Sequence, residues 1–202
     1  MKKIKSLDLL NELQEDVKRM IEAGDFFKSA PPVKLSYQSH PEKWSVVQTI
    51  EHMNAYLRHY LPVMEKATAF KSKEVSAWFQ PGFLGNYFTK SMRPTNVYEV
   101  KNKMRAMKSY SFPNSLNVEH VLQEFVELNE RFVNIIELAK SRDINSIKIP
   151  ITISRFIKLK LGDMIRFLVA HQQRHMVQAR NTLHAMGIAT DKFPVILQAA
   201  AL

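Results

Sequence analysis

The chain has no cysteine and only five glycines in 202 residues. Without cysteine there are no disulfides, no thiolate metal ligands and no cysteine nucleophiles, so any metal must be held by nitrogen and oxygen. The scarcity of glycine argues against a turn-rich all-β fold and for helices joined by a few long connections. No stretch approaches the roughly 20 consecutive apolar residues of a membrane span. Met1-Lys2-Lys3-Ile4-Lys5 opens like a signal peptide, but Asp8, Asn11, Glu12, Glu15 and Asp16 interrupt any apolar run behind it. A cytoplasmic protein is the expectation. Hydrophobic residues make up 46% and charged residues 24%, the balance of a globular chain long enough for one sizeable core. A single domain over residues 1–202 is expected.

Acidic charge is also in short supply, with 19 Asp and Glu against 29 Lys and Arg, a net charge of +10. Lys90, Arg93, Lys101, Lys103, Arg105 and Lys108 cluster with only Glu99 against them. No helix-turn-helix, zinc-finger or aromatic RNA-binding motif accompanies this stretch. A solvated basic face is the simpler reading, and a polyanion partner the lesser one.

The apolar residues recur at helical spacing in four segments. The first runs from about residue 6 to 23, on Leu7, Leu10, Leu13, Val17 and Met20, with Gly24 as its expected stop. The second covers about 44–70 on Val46, Ile50, Met53, Leu57, Tyr60, Leu61 and Met64, with Pro62 as an expected kink. The third covers about 118–140 on Val121, Leu122, Phe125, Leu128, Phe132, Ile135 and Ile136, and the fourth about 161–186, closed by Gly187. Residues 71–116 form an irregular insert, aromatic at 76–88 and basic at 90–108. It is expected to be a lid on the bundle or a subunit contact rather than a pocket wall or membrane contact. Ile147, Ile149, Ile151 and Ile153 alternate like a strand, which Pro150 demotes to an extended crossover or isolated edge strand. Four long amphipathic helices make an all-α four-helix bundle. The insert is long enough to carry the chain back along the bundle. The second and third helices can then run parallel, in up-down-down-up order.

On the fourth helix, set at 100° per residue, Met164, Leu168 and Met186 centre the apolar arc. His171 and His175 fall in that arc, one turn apart. A lone histidine on an apolar face is ordinarily a hydrogen-bonded core group. Two at i, i+4 present ring nitrogens to a common point, as helical metal sites do. Gln172 stands where the HExxH metalloprotease motif needs glutamate, so that mechanism lacks its base. A third donor must come from another helix. His184 projects away from the arc, His40 lies in a loop and His120 lies on a polar face. His52, bordering the second helix's arc beside Thr49 and Tyr56, ranks first. His59, two turns further on, ranks second. Imidazole donors suit Zn²⁺ and Ni²⁺ alike. Gln178, one turn past His175, is expected to hydrogen-bond within the pocket. Arg174 borders the arc, where it can meet an anionic substrate or, more simply, form a surface salt bridge.

Two segments carry a resemblance. Trp44-Ser45 through His52, and His171-Gln172-Gln173-Arg174-His175-Met176-Val177-Gln178, resemble the "W-S … H" and "HxxRHxxQ" segments of the DinB-like family of metal-binding four-helix bundles. The order, one histidine on the second helix and a pair on the fourth, is similar as well. The resemblance implies a triad of His52, His171 and His175 and an up-down-down-up bundle. It also implies a homodimer and a metal-dependent enzyme acting on a small molecule, either a hydrolase or a transferase using a low-molecular-weight thiol. A non-catalytic, metal-stabilised bundle that binds a ligand or partner is the alternative.

Overall fold

The computed structural model describes residues 2–70, 74–96, 98–100, 112–113, 115–152 and 154–194. Lys101, Lys103, Arg105 and Lys108 of the basic stretch, and Ile153 of the alternating segment, lie outside them. The elements in chain order are β1 (Ile4–Lys5), α1 (Ser6–Lys28), α2 (Pro32–Ser36), α3 (Val46–Thr68) and β2 (Trp78–Phe79). They continue with α4 (Phe83–Met92), α5 (Val118–Ala139), β3 (Lys148–Ile151), β4 (Ser154–Lys160) and α6 (Leu161–Ala185).

The long helices α1, α3, α5 and α6 form the bundle, and side-chain pairs fix their directions. Asn54 reaches the Val121 carbonyl, Arg58 pairs with Glu124 and Arg131 with Glu65. Partner numbers rise together along α3 and α5, so these helices are parallel. On α1 and α5, Gln14 meets Val133 and Glu137 while Gly24 meets Phe125 and Val126, so they are antiparallel. His52 faces His171 and Tyr56 faces Phe167, so α3 and α6 are also antiparallel. The order is up-down-down-up, as the long connection allows.

Several boundaries differ from the sequence reading. Gly24 does not end α1, which runs on to Lys28. A Cβ at Gly24 would lie 3.0 Å from Val126 Cγ2, so the glycine serves a close approach of two helices rather than a cap. Pro62 sits inside an unbroken α3. Gly187, with φ of 77°, does close α6. The isoleucine-rich segment is not isolated. Lys148–Ile151 pairs antiparallel with Ser154–Lys160, with an irregularity after Pro150. Ile149, Ile151 and Leu159 turn inward, and a two-stranded ladder has only edges, where a proline is tolerated.

The insert is less irregular than its composition suggested. Trp78–Phe79 pairs with Ile4–Lys5, and α4 packs along α6. Its inner face is Gly85 and Thr89. Asp163 accepts a hydrogen bond from the Gly82 N–H and pairs with buried Arg166, whose guanidinium also reaches Asn86. Burial raises the Asp163 carboxyl, while Gly82 and Arg166 oppose the shift. The outer face leaves Phe83, Leu84 and Tyr87 exposed. A Cβ at Gly85 would lie 2.4 Å from Asp163 Cβ, which no rotamer change relieves. Gly85→Ala is therefore expected to separate α4 from α6 and to cost at least ~2 kcal/mol, measured by chemical denaturation.

The core is in two parts. One contains Leu9, Leu13, Leu57, Leu61, Phe132, Ile136, Leu161 and Leu168. The other contains Met20, Phe27, Ile50, Met53, Phe125, Met176 and Leu183. Near the boundary each long helix contributes a buried polar residue: Asp16, Asn54, Asn129, Gln172 and Gln173.

Candidate metal centre

Helix α3 begins with a capping box. Ser45 Oγ accepts from the Gln48 backbone N–H at 3.2 Å, and Gln48 Oε1 accepts from the Ser45 N–H at 2.9 Å. Such a cap contributes about 1 kcal/mol and fixes where the helix starts. His52 then follows seven residues, or two turns, after the cap. The Gln48 amide also donates to the Phe112 carbonyl at 3.1 Å, which ties the end of the insert to the start of α3.

His52, His171 and His175 come together where α3 and α6 face one another. One nitrogen from each lies within 4.8 Å of the others, and His52 Nε2 stands 3.1 Å from His171 Nε2. All three are buried, at 4%, 2% and 8% exposure. His59, the second-ranked candidate, and His120 and His184 are exposed on other faces, and His40 lies in the loop before α3.

Burial decides the protonation of the cluster. It lowers His52 from 6.5 to about 4 and holds His171 and His175 well below the ordinary imidazole range. Mutual repulsion and nearby Arg174 act in the same direction on His171 and His175. Three neutral imidazoles at neutral pH are three lone-pair donors. The tautomer of His175 is set by Gln178, whose Oε1 lies 2.7 Å from Nδ1. Donation from Nδ1–H leaves the Nε2 lone pair free to ligate. His171 Nδ1 has no hydrogen-bond partner among the described residues. It is the nitrogen left over when Nε2 faces the cluster.

Aromatic rings wall the site. Tyr56 stacks on His171 with centroids 4.1 Å apart and planes 27° apart. Trp44 lies 4.8 Å from His52 and 6.3 Å from His175. Phe112 lies 6.4 Å from His52, and Phe167 lies 6.0 Å from His171. Thr49 does not turn toward the histidines for a partner; its hydroxyl donates to the Ser45 carbonyl of its own helix. Arg174 is not on the surface. It is 3% exposed, and burial lowers its pKa. This burial departs from the surface position expected for a residue at the border of the arc. Trp44, Phe112 and Phe167 carry no wall signal of their own in the sequence. The S-x-x-Q spacing of Ser45 and Gln48 is the signal that Trp44 immediately precedes a fixed helix start.

The donor set suits a divalent cation. It is all nitrogen and has the i, i+4 pair on one helix and the single donor on its neighbour. No carboxylate belongs to the cluster, so a bound ion would keep its full charge, the form in which His₃ sites act as Lewis acids. If His175 ligates, its contact to Gln178 orients the ring. Gln178→Ala is then expected to weaken divalent-metal affinity 10–100-fold without unfolding the chain, measured by competitive chelator titration.

The chain matches the DinB superfamily model over residues 22–179. A solved structure with a similar fold is described as "YfiT from Bacillus subtilis is a probable metal-dependent hydrolase with an unusual four-helix bundle topology". The two share 11% identity with a TM-score of 0.55, covering 91% of this chain and 89% of that one. No curated protein sequence matches this chain significantly. The matched residues span α3, α5 and most of α6, including all three clustered histidines, and the chain belongs to the DinB superfamily.

Proposed function

We propose that this protein is a metal-dependent enzyme acting on a small molecule. His52, His171 and His175 hold a divalent ion, Zn²⁺ or Ni²⁺, with open coordination positions. The observation that carries the reading is the cluster itself: three buried, uncharged imidazoles converging under aromatic walls, with no carboxylate among them. A bound divalent ion supplies Lewis acidity, lowering the pKa of a coordinated water or thiol toward neutrality. The chain's own residues do the rest. Gln178 holds the His175 ring, Tyr56 and Trp44 press on the imidazoles and exclude bulk water, and Arg174 adds positive charge that favours an anionic substrate group. The chain has no cysteine, so a transferred thiol would come from a low-molecular-weight cosubstrate. The probable hydrolase activity ascribed to YfiT favours hydrolysis as the first activity to seek. A homodimer would cover the exposed Phe83, Leu84 and Tyr87 of α4, and sedimentation analysis checks that.

The test is a panel of esters and amides, and of thiols paired with an electrophile. Each is assayed with protein reconstituted with Zn²⁺ or Ni²⁺ and with chelated protein. Turnover that requires metal and is lost in His52→Ala supports the proposal. The depth of the cluster, at 8% exposure or less, favours a second reading in which the ion stabilises the bundle and a ligand or partner is bound without turnover. Metal-dependent stability with no turnover across the panel would establish that reading instead. No helix among the described residues is long and apolar enough to cross a membrane.

A further inference from the structure

The C-terminal end of α6 carries a second group of polar side chains, on the face turned away from the histidines. At 100° per residue, Arg180 lies about 180° around the helix from His171, and His184 about 180° from His175. Arg180 and His184 are one turn apart and share that outward face. His184 also stands nine residues beyond His175, about 13 Å along the axis. Whatever gathers here is separate from the metal centre.

Two other stretches of chain close on this face. One is the insert. Asn181 Nδ2 donates to the Tyr98 carbonyl at 2.7 Å, and the Arg180 guanidinium lies over the Tyr98 ring, 4.7 Å from its centroid. Tyr98 is still 63% exposed, so part of its ring is engaged and the remainder is open. The other is the chain after α6. Gly187 turns it at positive φ, and the Ile188 N–H returns to the Leu183 carbonyl. Buried Thr190 and Phe193 hold this turn down, with Phe193 edge-on against Phe26 and Phe27. Between these walls lies an open groove of ≈ 520 Å³, lined by Tyr98, Arg180, His184, Ile188, Thr190 and Asp191 among others. That volume is in the range of small-molecule sites.

The lining is dipolar. Arg180 carries a permanent positive charge, and neither it nor Asp191 enters an ion pair among the described residues. The two charges border one groove without neutralising each other. A simple anion would satisfy Arg180 and be repelled by Asp191, and a simple cation the reverse. A ligand bearing both signs answers both. The guanidinium fork suits a carboxylate, the Asp191 carboxylate suits an ammonium, and the open part of the Tyr98 ring offers a surface on which a second ring can stack. We propose that this groove binds a free aromatic α-amino acid, with its carboxylate on Arg180, its ammonium on Asp191 and its ring against Tyr98. The assignment does not depend on the metal centre or on what it catalyses.

The probe is L-tryptophan, titrated into the full chain by calorimetry and by NMR shift mapping, with a chelator present so that the metal centre takes no part. Saturable binding is expected, with shifts at Tyr98, Arg180, His184 and Asp191 rather than at His52 and His171. L-tryptophanamide lacks the carboxylate and indole-3-propionate lacks the ammonium. Each should bind about 10-fold or more weakly than the amino acid. Asp191→Asn, which keeps the side chain's size and removes only its charge, should weaken L-tryptophan by a similar factor, as should Arg180→Gln. No saturable binding, or shifts centred on the histidine cluster, would overturn the proposal. So would indole-3-propionate binding as tightly as L-tryptophan, or undiminished affinity in Asp191→Asn, either of which would make the groove a site for simple anions. Shift mapping and the two analogues use the wild type, so a variant that fails to fold does not shield the proposal from refutation.

Discussion

Replacing His171 by alanine is expected to remove bound metal from the protein altogether under dialysis. With three neutral nitrogens and no carboxylate, each imidazole supplies about a third of the ligand field. Losing one should lower affinity by more than the 10–100-fold typical of losing a residue that only orients a ligand. His171 is the most informative of the three because its Nε2 lies 3.1 Å from that of His52 and its neighbour His175 is one turn away. Elemental analysis of purified wild type should give about one divalent ion per chain, with almost none in His171→Ala. The thermal stabilisation that added Zn²⁺ or Ni²⁺ gives the wild type should vanish in the variant. His59→Ala is the control, because His59 is exposed on α3. Equal metal content in His171→Ala and wild type, or equal loss in His59→Ala, would show that the ligands lie elsewhere.

Acid is expected to unfold the metal-free protein early and steeply. An unfolded histidine takes up its proton near pH 6.5, while burial in the fold lowers His52 to about 4 and His171 and His175 well below their ordinary value. Between those limits the unfolded chain binds more protons than the folded one, so stability falls as pH falls. The contribution is intact above pH 6.5 and drains away through the window from there down to about 4. For His52 alone the shift corresponds to about 3 kcal/mol, a large share of a typical total stability. His171 and His175 act in the same direction. Urea midpoints measured from pH 8 to pH 4 should drop sharply below pH 6.5 in chelated protein, and saturating metal should move the drop to lower pH. A flat profile across this window would mean that the cluster is solvated or already charged in the fold.

The long helices are legible because their apolar residues keep the 3.6-residue period over most of their length, and the parallel α3 and α5 because a connection of nearly fifty residues has room to return. The histidine pair was legible because a polar residue in an apolar arc stands out. A wheel, however, assigns faces and not neighbours. It places Arg174 on a border and so at the surface, whereas the folded chain buries that side chain. The insert hid its helix because α4 packs through Gly85 and Thr89, residues that leave no apolar stripe to read. Gly24 reads as a stop because a sequence does not distinguish a glycine chosen for its backbone from one chosen for its missing Cβ. Gln172 stands out in the sequence for the glutamate it replaces, and the same wheel also sets it at the centre of the core stripe.

The parallel arrangement of α3 and α5 has a consequence for how such a protein can change over evolutionary time. Two parallel neighbours cannot be joined by a tight turn, so the topology itself requires a long connection. That connection returns to the mouth of the site, where the Gln48 amide meets the Phe112 carbonyl. Of the two helices that carry the histidines, α3 takes its start from its own capping box, and the two face one another directly at His52 and His171. Beyond α4, which is docked on α6 through Asp163 and Arg166, the returning segment can therefore change its length while the ligand-bearing framework stays still. On this topology the Phe112 wall and the histidine centre belong to different stretches of chain, so a substitution in one need not disturb the other.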